Sequence, residues 1–134
     1  MPDTDSDPAR YALSFVAPGS YVYYRSNVSA RDGTEMAGRL KAALDLGRTH
    51  AATRILFDSR GTRFTPGVGA QYAYARHQAW QLGLTRDWRI AMLASTGDDS
   101  YDFLETAFLN SGYDARLFND EGLAIAWLTR PALG

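Results

Sequence analysis

Arg54-Ile55-Leu56-Phe57-Asp58-Ser59 is the stretch that decides the fold. Three consecutive apolar residues, closed on either side by a charge, are too few for a core helix. They read as a short strand buried on both faces, the kind found inside parallel sheets. Two later segments repeat the pattern, Ile90-Ala91-Met92-Leu93 and Ala115-Arg116-Leu117-Phe118. Helical periodicities lie between them. Val68, Tyr72, Ala75, Ala79 and Leu82 share one face of a helix that begins near Gly67 and stops at Gly83, a natural left-handed C′ position. Phe103, Leu104, Ala107 and Phe108 form the apolar face of the next, capped by Asp98 or Asp99 and ended by Gly112. A final helix carries Leu123, Ala124, Trp127 and Leu128 behind a cap at Asn119 or Asp120.

Upstream of the decisive stretch, Tyr11–Val16 alternates and reads as a strand, and Tyr21–Val28 as a second. Ala17-Pro18-Gly19-Ser20 between them is a type II turn signal, so the pair forms an antiparallel hairpin. Asp32-Gly33-Thr34-Glu35 is a capping-box variant, with Asp32 accepting at N3 and Glu35 reaching back. Met36, Leu40, Ala43 and Leu44 then recur at helical spacing until Gly47, or the polar stretch to Thr53, ends the helix. The order is β-β-α-β-α-β-α-β-α, an α/β fold with a mixed, mostly parallel sheet. One domain over residues 10–130 is expected, behind a disordered tail at 1–9 rich in Asp and Pro.

Composition narrows the function. The chain has 134 residues and a formal net charge of -1, so no global field draws it to nucleic acid or anionic lipid. With no cysteine there is no disulfide, thiolate nucleophile or Cys-based zinc site. His50 and His77 are too few for a His-only metal triad, and no metal or cofactor is expected. The acidic N-terminus lacks the basic and apolar regions of a signal peptide, and no apolar run spans a membrane, which places the protein in the cytoplasm.

The element order resembles the STAS domain, and more closely the bacterial SpoIIAA-like proteins related to anti-sigma factor antagonists. The likeness is carried by Ile55-Leu56-Phe57-Asp58-Ser59, by Arg89–Ala94 with its acidic cap and Phe103, and by Gly112–Phe118 leading into Glu121 and Ala124-Ile125-Ala126-Trp127-Leu128. The resemblance implies a bacterial, non-enzymatic protein-interaction or regulatory module. It also implies a phosphorylatable serine near the start of the second helix. That position falls at about Val68, which has no hydroxyl.

Candidate sites follow from the same frame. Ligands of open α/β sheets bind beyond the carboxyl ends of strands, and helix N-termini attract anions. Ser59, Arg60, Thr62, Arg63, Thr65, Gly67 and Gly69 are therefore a candidate anion or small-ligand site, although solvated arginines on an exposed loop are the plainer reading. Gly67-x-Gly69 lacks the third glycine of a dinucleotide fingerprint, since position 72 is tyrosine. Tyr74, His77, Gln78 and Gln81 lie on the outer face of the second helix and form a candidate interface for a protein partner or homodimer, with an ordinary helix exterior as the alternative. Tyr21, Tyr23 and Tyr24 would line a cavity for an apolar or lipid molecule in the core, or simply pack in it. Trp80, Trp88 and Trp127 are expected in the core or at its edge. No acid–base or nucleophile set assembles from the sequence, so an enzyme is not expected.

Overall fold

The computed structural model describes residues 10–17 and 20–131. The expected tail at 1–9 and the Pro18-Gly19 centre of the hairpin turn lie outside the described residues. Strands β1 (Tyr11–Val16) and β2 (Tyr21–Ser26) pair antiparallel, and the turn closes with Ser20 N–H donating to the Ala17 carbonyl at 3.3 Å. Helix α1 (Gly33–Thr49) then leads to β3 (Arg54–Asp58). A bent rod follows: α2 (Val68–Ala73), a π-helical turn (Tyr74–Gln78) and α3 (Ala79–Gln81). Then come β4 (Arg89–Leu93), α4 (Asp102–Asn110), β5 (Asp114–Phe118) and α5 (Glu121–Leu128). One five-stranded sheet in the order β1-β2-β3-β4-β5 holds them all, parallel from β2 onward. The three apolar segments lie side by side as expected, in the register Ile55↔Ile90↔Ala115.

Period-2 alternation sorts the strands onto two cores. Val22, Ile55, Ile90, Met92 and Ala115 face α1, the bent rod and α4, all on one side of the sheet. Tyr21, Leu56, Ala91 and Leu93 face α5, which turns back beneath the sheet and packs across β3, β4 and β5. The same alternation separates the tyrosines of β2. Tyr24 points to the large core, whereas Tyr21 and Tyr23 belong to the α5 side, so the three do not line one cavity.

The helix signals are met unevenly. The Asp32 carboxylate accepts from Glu35 N–H at 2.9 Å, and Asp120 from Leu123 N–H at 2.9 Å. Glu35 does not complete the capping box, because its carboxylate is taken by arginines. Neither Asp98 nor Asp99 caps α4, whose N-cap is Tyr101; Asp98 instead accepts from Ser100 N–H at 2.9 Å in the preceding turn. Gly83 and Gly112 take positive φ at the helix ends as expected. Gly47 does not stop α1. The helix runs through it and ends at Thr49, in the polar stretch that was the other expected end; the Trp88 ring and the Ala52 carbonyl lie where a side chain of residue 47 would stand.

The bent rod departs most from expectation. Ala79 N–H donates to the Tyr74 carbonyl, the i→i−5 bond of a π turn. Such a turn takes up one extra residue, which swings later positions by roughly the 100° of one residue. Where the turn begins, the buried face is already Gln71, Tyr74 and Ala75, at ordinary helical spacing, instead of a stripe through Val68 and Tyr72; beyond it the rod buries Ala79. Val68, Tyr72 and Trp80 stand in solvent at 60, 52 and 64 % exposure, so Trp80 is not a core residue. Trp88 is in the core and Trp127 is at its edge.

Gly47→Ala tests the contact with Trp88. The added Cβ would lie 2.8 Å from both the Trp88 ring and the Ala52 carbonyl. Overpacking of about 1–3 kcal/mol then outweighs the gain in helix propensity of about 1 kcal/mol. A lower denaturation midpoint by equilibrium unfolding is expected.

Candidate functional site

The carboxyl ends of β2, β3 and β4 open onto two arrangements of polar residues, one on each side of the sheet. On the α5 side, Asp58 ends the central strand with its side chain fully buried. Tyr23 Oη–H donates to it at 2.5 Å, Arg25 pairs at 3.0 Å, and Arg60 grips it from Nε (3.0 Å) and Nη2 (2.8 Å). Arg60 also reaches Glu121 of α5 at 3.1 Å. Burial alone would raise the Asp58 pKa, but the hydrogen bonds from Arg60 and Tyr23 and the charge of Arg25 outweigh it and hold the carboxyl at about 2. Burial and the bond to Asp58 push the Tyr23 phenol up to about 12.

This arrangement decides how the Ser59–Gly69 segment reads. Arg60 is committed to Asp58 and Glu121. Arg63 pairs with Asp99 at 3.0 Å and Asp98 at 3.5 Å. An anion arriving at Gly67 would compete with carboxylates for both guanidiniums. The Thr65 hydroxyl and amide engage Ser29 Oγ (3.2 and 3.1 Å), and Thr62 donates to the Ser26 carbonyl at 3.3 Å. Gly67 and Gly69 are exposed with open space about them, at the start of a six-residue helix. Ser59 is the one member of the set turned inward, beneath the large core.

On that inner side lies a cavity of about 60 Å³ between α1, the bent rod, α4 and the sheet. Apolar walls come from Met36, Leu40, Leu104 and Phe108; the polar lining includes Tyr24, Ser59, Arg39, Tyr74 and Tyr101. Phe64, from the loop after β3, stacks on Tyr101 at 4.8 Å and forms part of the lining. Arg39 is only 4 % exposed. Its Nη1 donates to Tyr24 Oη (2.8 Å) and the Val28 carbonyl (2.9 Å), and its Nη2 to Glu35 (3.0 Å). Glu35, itself 3 % exposed, is also held by Arg10 at 2.6 Å and Arg31 at 2.5 Å. Burial opposes ionisation of Glu35, but bonds from Arg10 and Arg31 and the charge of Arg39 keep its pKa below the usual carboxylate value. Burial raises Tyr24 and lifts Tyr101 to about 12; it pushes Tyr74 higher still.

Tyr74 thus belongs to the cavity and not to the expected outer interface. It lies one helical turn after the buried Gln71, on the same face. Gln78 is half-buried, whereas His77 and Gln81 do lie on the exterior. Sequence reasoning passed over Arg39, although a signal was there: Arg39 falls among Met36, Leu40 and Ala43 on the apolar face of α1, where a charge needs buried partners. Beyond this cavity, a groove of about 390 Å³ between α4 and β5 is polar, and its Glu105 is taken by Leu117 N–H at 2.6 Å. Among the described residues no three His, Asp or Glu side chains come together as a metal site, and no helix is long and apolar enough to cross a membrane. A scan against protein-family models found no match, and a search of curated proteins found none either.

The depressed Asp58 pKa predicts acid sensitivity. Because the folded value lies below the ordinary aspartate value of 3.8, its stabilisation is complete above about pH 4 and is lost as pH falls through 2. The contribution is on the order of 2 kcal/mol. Asp58→Asn should destabilise the protein at neutral pH by about 2–3 kcal/mol and flatten the stability profile between pH 4 and 2, read by urea unfolding across that range.

Proposed function

We propose that this chain is a non-enzymatic regulatory module on a STAS-like scaffold, and that its signal is a small molecule held in the tyrosine–arginine cavity. The cavity carries the reading. It sits at the carboxyl ends of the strands, where open α/β sheets collect ligands, and it joins apolar walls to a few fixed polar groups. The hairpin followed by three β-α units supports the scaffold. Val68 stands at the first position of α2, where the family resemblance implies a phosphorylatable serine, so the signal does not enter as a phosphate there.

The electrostatics favour binding over chemistry. Proton transfer near neutral pH needs a group whose pKa lies close to 7. The tyrosines of the cavity are shifted upward, and Glu35 behind it is shifted downward. His50 stacks on Phe15 at 4.0 Å, and His77 is on the exterior, so neither stands beside the serines of the cavity as a base. Polar groups with fixed protonation hold a ligand without transforming it.

NMR titration with solutes of up to about four heavy atoms, among them acetate, acetamide, acetone and ethanol, tests this reading. Saturable shifts at the amides of Tyr24, Tyr74 and Tyr101 are expected from at least one of them, and Ala30→Val, which narrows the cavity, should remove the response. Silence across the whole set would reject the cavity as a ligand site.

A second reading rests on the exposed strip Val68, Tyr72 and Trp80 along the bent rod, an apolar surface suited to pairing with another copy of the chain. Sedimentation equilibrium should then show a dimer that Trp80→Ser converts to monomer. A wild-type protein that stays monomeric at high concentration excludes that pairing.

A further inference from the structure

We propose that the cavity takes an uncharged carbonyl compound of about four heavy atoms, a small ketone or aldehyde, with its oxygen on the Tyr74 hydroxyl. The proposal rests on the ligand-binding reading above and names the class of the ligand. Its starting point is that hydroxyl. Tyr74 lines the cavity and is 6 % exposed, and its O–H makes no hydrogen bond with any described residue. Nor is the oxygen sealed: it is not one of the described side-chain atoms that have neither partner nor surface. Protein encloses the phenol on every side, so the open space that its oxygen touches is the cavity.

The rest of the polar lining is engaged. Tyr24 accepts from Arg39, and Tyr101 donates to the Thr62 carbonyl. Ser26 donates to the Val28 carbonyl and Ser29 to the Ala30 carbonyl, while Ser59 bonds to Tyr101. Arg39 is the one charged residue of the lining, and its terminal nitrogens are turned to Tyr24, Val28 and Glu35. An ionised ligand would lose its hydration and meet no free counter-ion in exchange.

One free donor then sets the hydrogen bonding of the ligand itself. Burial keeps the Tyr74 phenol protonated well into the alkaline range, so it can donate. A buried donor without an acceptor is a standing penalty that a ligand oxygen removes. The ligand should bring no N–H or O–H of its own, because the other hydroxyl oxygens already have partners and a ligand donor would go unpaired. That disfavours alcohols and, with two donors, primary amides. A ketone or an aldehyde carries an acceptor at its tip and no donor. Its alkyl part meets Met36, Leu40, Leu104 and Phe108, which offer no hydrogen bond. Water would fill the polar end and leave those walls uncovered. A space of about 60 Å³ admits acetone and shuts out a longer ketone unless the core opens.

The experiment is an NMR titration of the full chain with acetone, hexanone, ethanol, acetamide, acetate and isobutene. The Tyr74 amide and the carbonyl carbon of isotope-labelled acetone are the reporters. Acetone should saturate the amide shift, with acetamide and acetate about tenfold weaker or worse. Tyr74→Phe loses only a hydroxyl without a protein partner, so it should keep its melting temperature and bind acetone about tenfold more weakly. Isobutene has the shape of acetone and no oxygen, and should bind the variant no more weakly than the wild type. The carbonyl carbon of bound acetone should lie further downfield in the wild type than in Tyr74→Phe, the mark of an accepted hydrogen bond. Should the variant fail to fold, the order of the solutes on the wild type decides. Ethanol, acetamide or acetate binding as tightly as acetone would overturn the carbonyl class while leaving a small-ligand site in place. Equal acetone affinity in wild type and Tyr74→Phe would overturn the phenol as its anchor, and hexanone binding more tightly than acetone would overturn the size. No response to any solute would show a cavity that holds water alone, and would remove the ligand-binding reading as well.

Discussion

An ionised carboxylate with no exposed surface costs several kcal/mol to desolvate unless its oxygens are matched by donors. Asp58 sets that constraint at the end of the middle strand, and much of the α5 side follows from it. Tyr23 and Arg25 must present from β2, which fixes the register of the hairpin beside β3. Arg60 must fold back over the strand it has just left, which turns the following loop sharply. Through Glu121 the same guanidinium reaches the first turn of α5. At the far end of α5, Arg89 Nη1 donates to the carbonyls of Trp127, Leu128 and Arg130 at 3.1, 3.3 and 2.6 Å. It lies over the Trp127 ring at 5.5 Å. A helix of eight residues is too short to be stable alone. Here it is fastened at both ends by arginines rooted in the sheet.

The opposite side of the sheet solves a similar problem and leaves a remainder. Glu35 and Arg39 are one helical turn apart on α1 and both enclosed. Their bonds to β2 and to the Val28 segment close the top of the large core. Around them the tyrosines bring ring surface for packing and a hydroxyl each that must be placed. Tyr101 gives its proton to the Thr62 carbonyl at 2.8 Å, and Tyr24 receives one from Arg39. The packing is not complete where Tyr74 comes in from the bent rod, and the cavity is what is left. Dense cores hold few such spaces, and one with a guanidinium in its wall is built from residues that would otherwise be poor choices for a core.

Much of this was legible in the sequence. Short apolar runs at Ile55, Ile90 and Ala115 gave adjacent strands because a run buried on both faces has few other uses. Caps at Asp32 and Asp120 and glycines at 83 and 112 worked as local chemistry dictates, independent of the rest of the fold. What failed was anything that depended on a long-range partner. Of the two ends offered for α1, the polar stretch held and Gly47 did not, and Trp88, distant in sequence, lies where a side chain of residue 47 would stand. Asp98 looked like a cap until Ser100 and Arg63 engaged it. The face of the bent rod was misplaced from its first turn, because the stripe through Val68 and Tyr72 competes with one through Gln71, Tyr74 and Ala75 that only the packing of the rod selects. That error moved Tyr74 from an outer interface to the wall of the cavity. The loop after β3 was correctly found to be polar and central. Its arginines were read as free because the acids that claim them, Asp98, Asp99 and Glu121, arrive from elements far along the chain.

The chain's preference for arginine has a lasting consequence for how it meets its surroundings. Every described ion pair that joins two separate elements uses a guanidinium, and the single lysine only braces Asp45 within α1. Guanidinium groups do not give up their proton in water. The enclosed phenols are shifted the same way, towards holding theirs. Up to about pH 12, where the Tyr23 phenol ionises, nothing in these junctions changes charge on the alkaline side, so the molecule's electrostatic tolerance is one-sided: wide towards base, and bounded towards acid by the few carboxylates on which the arginines converge.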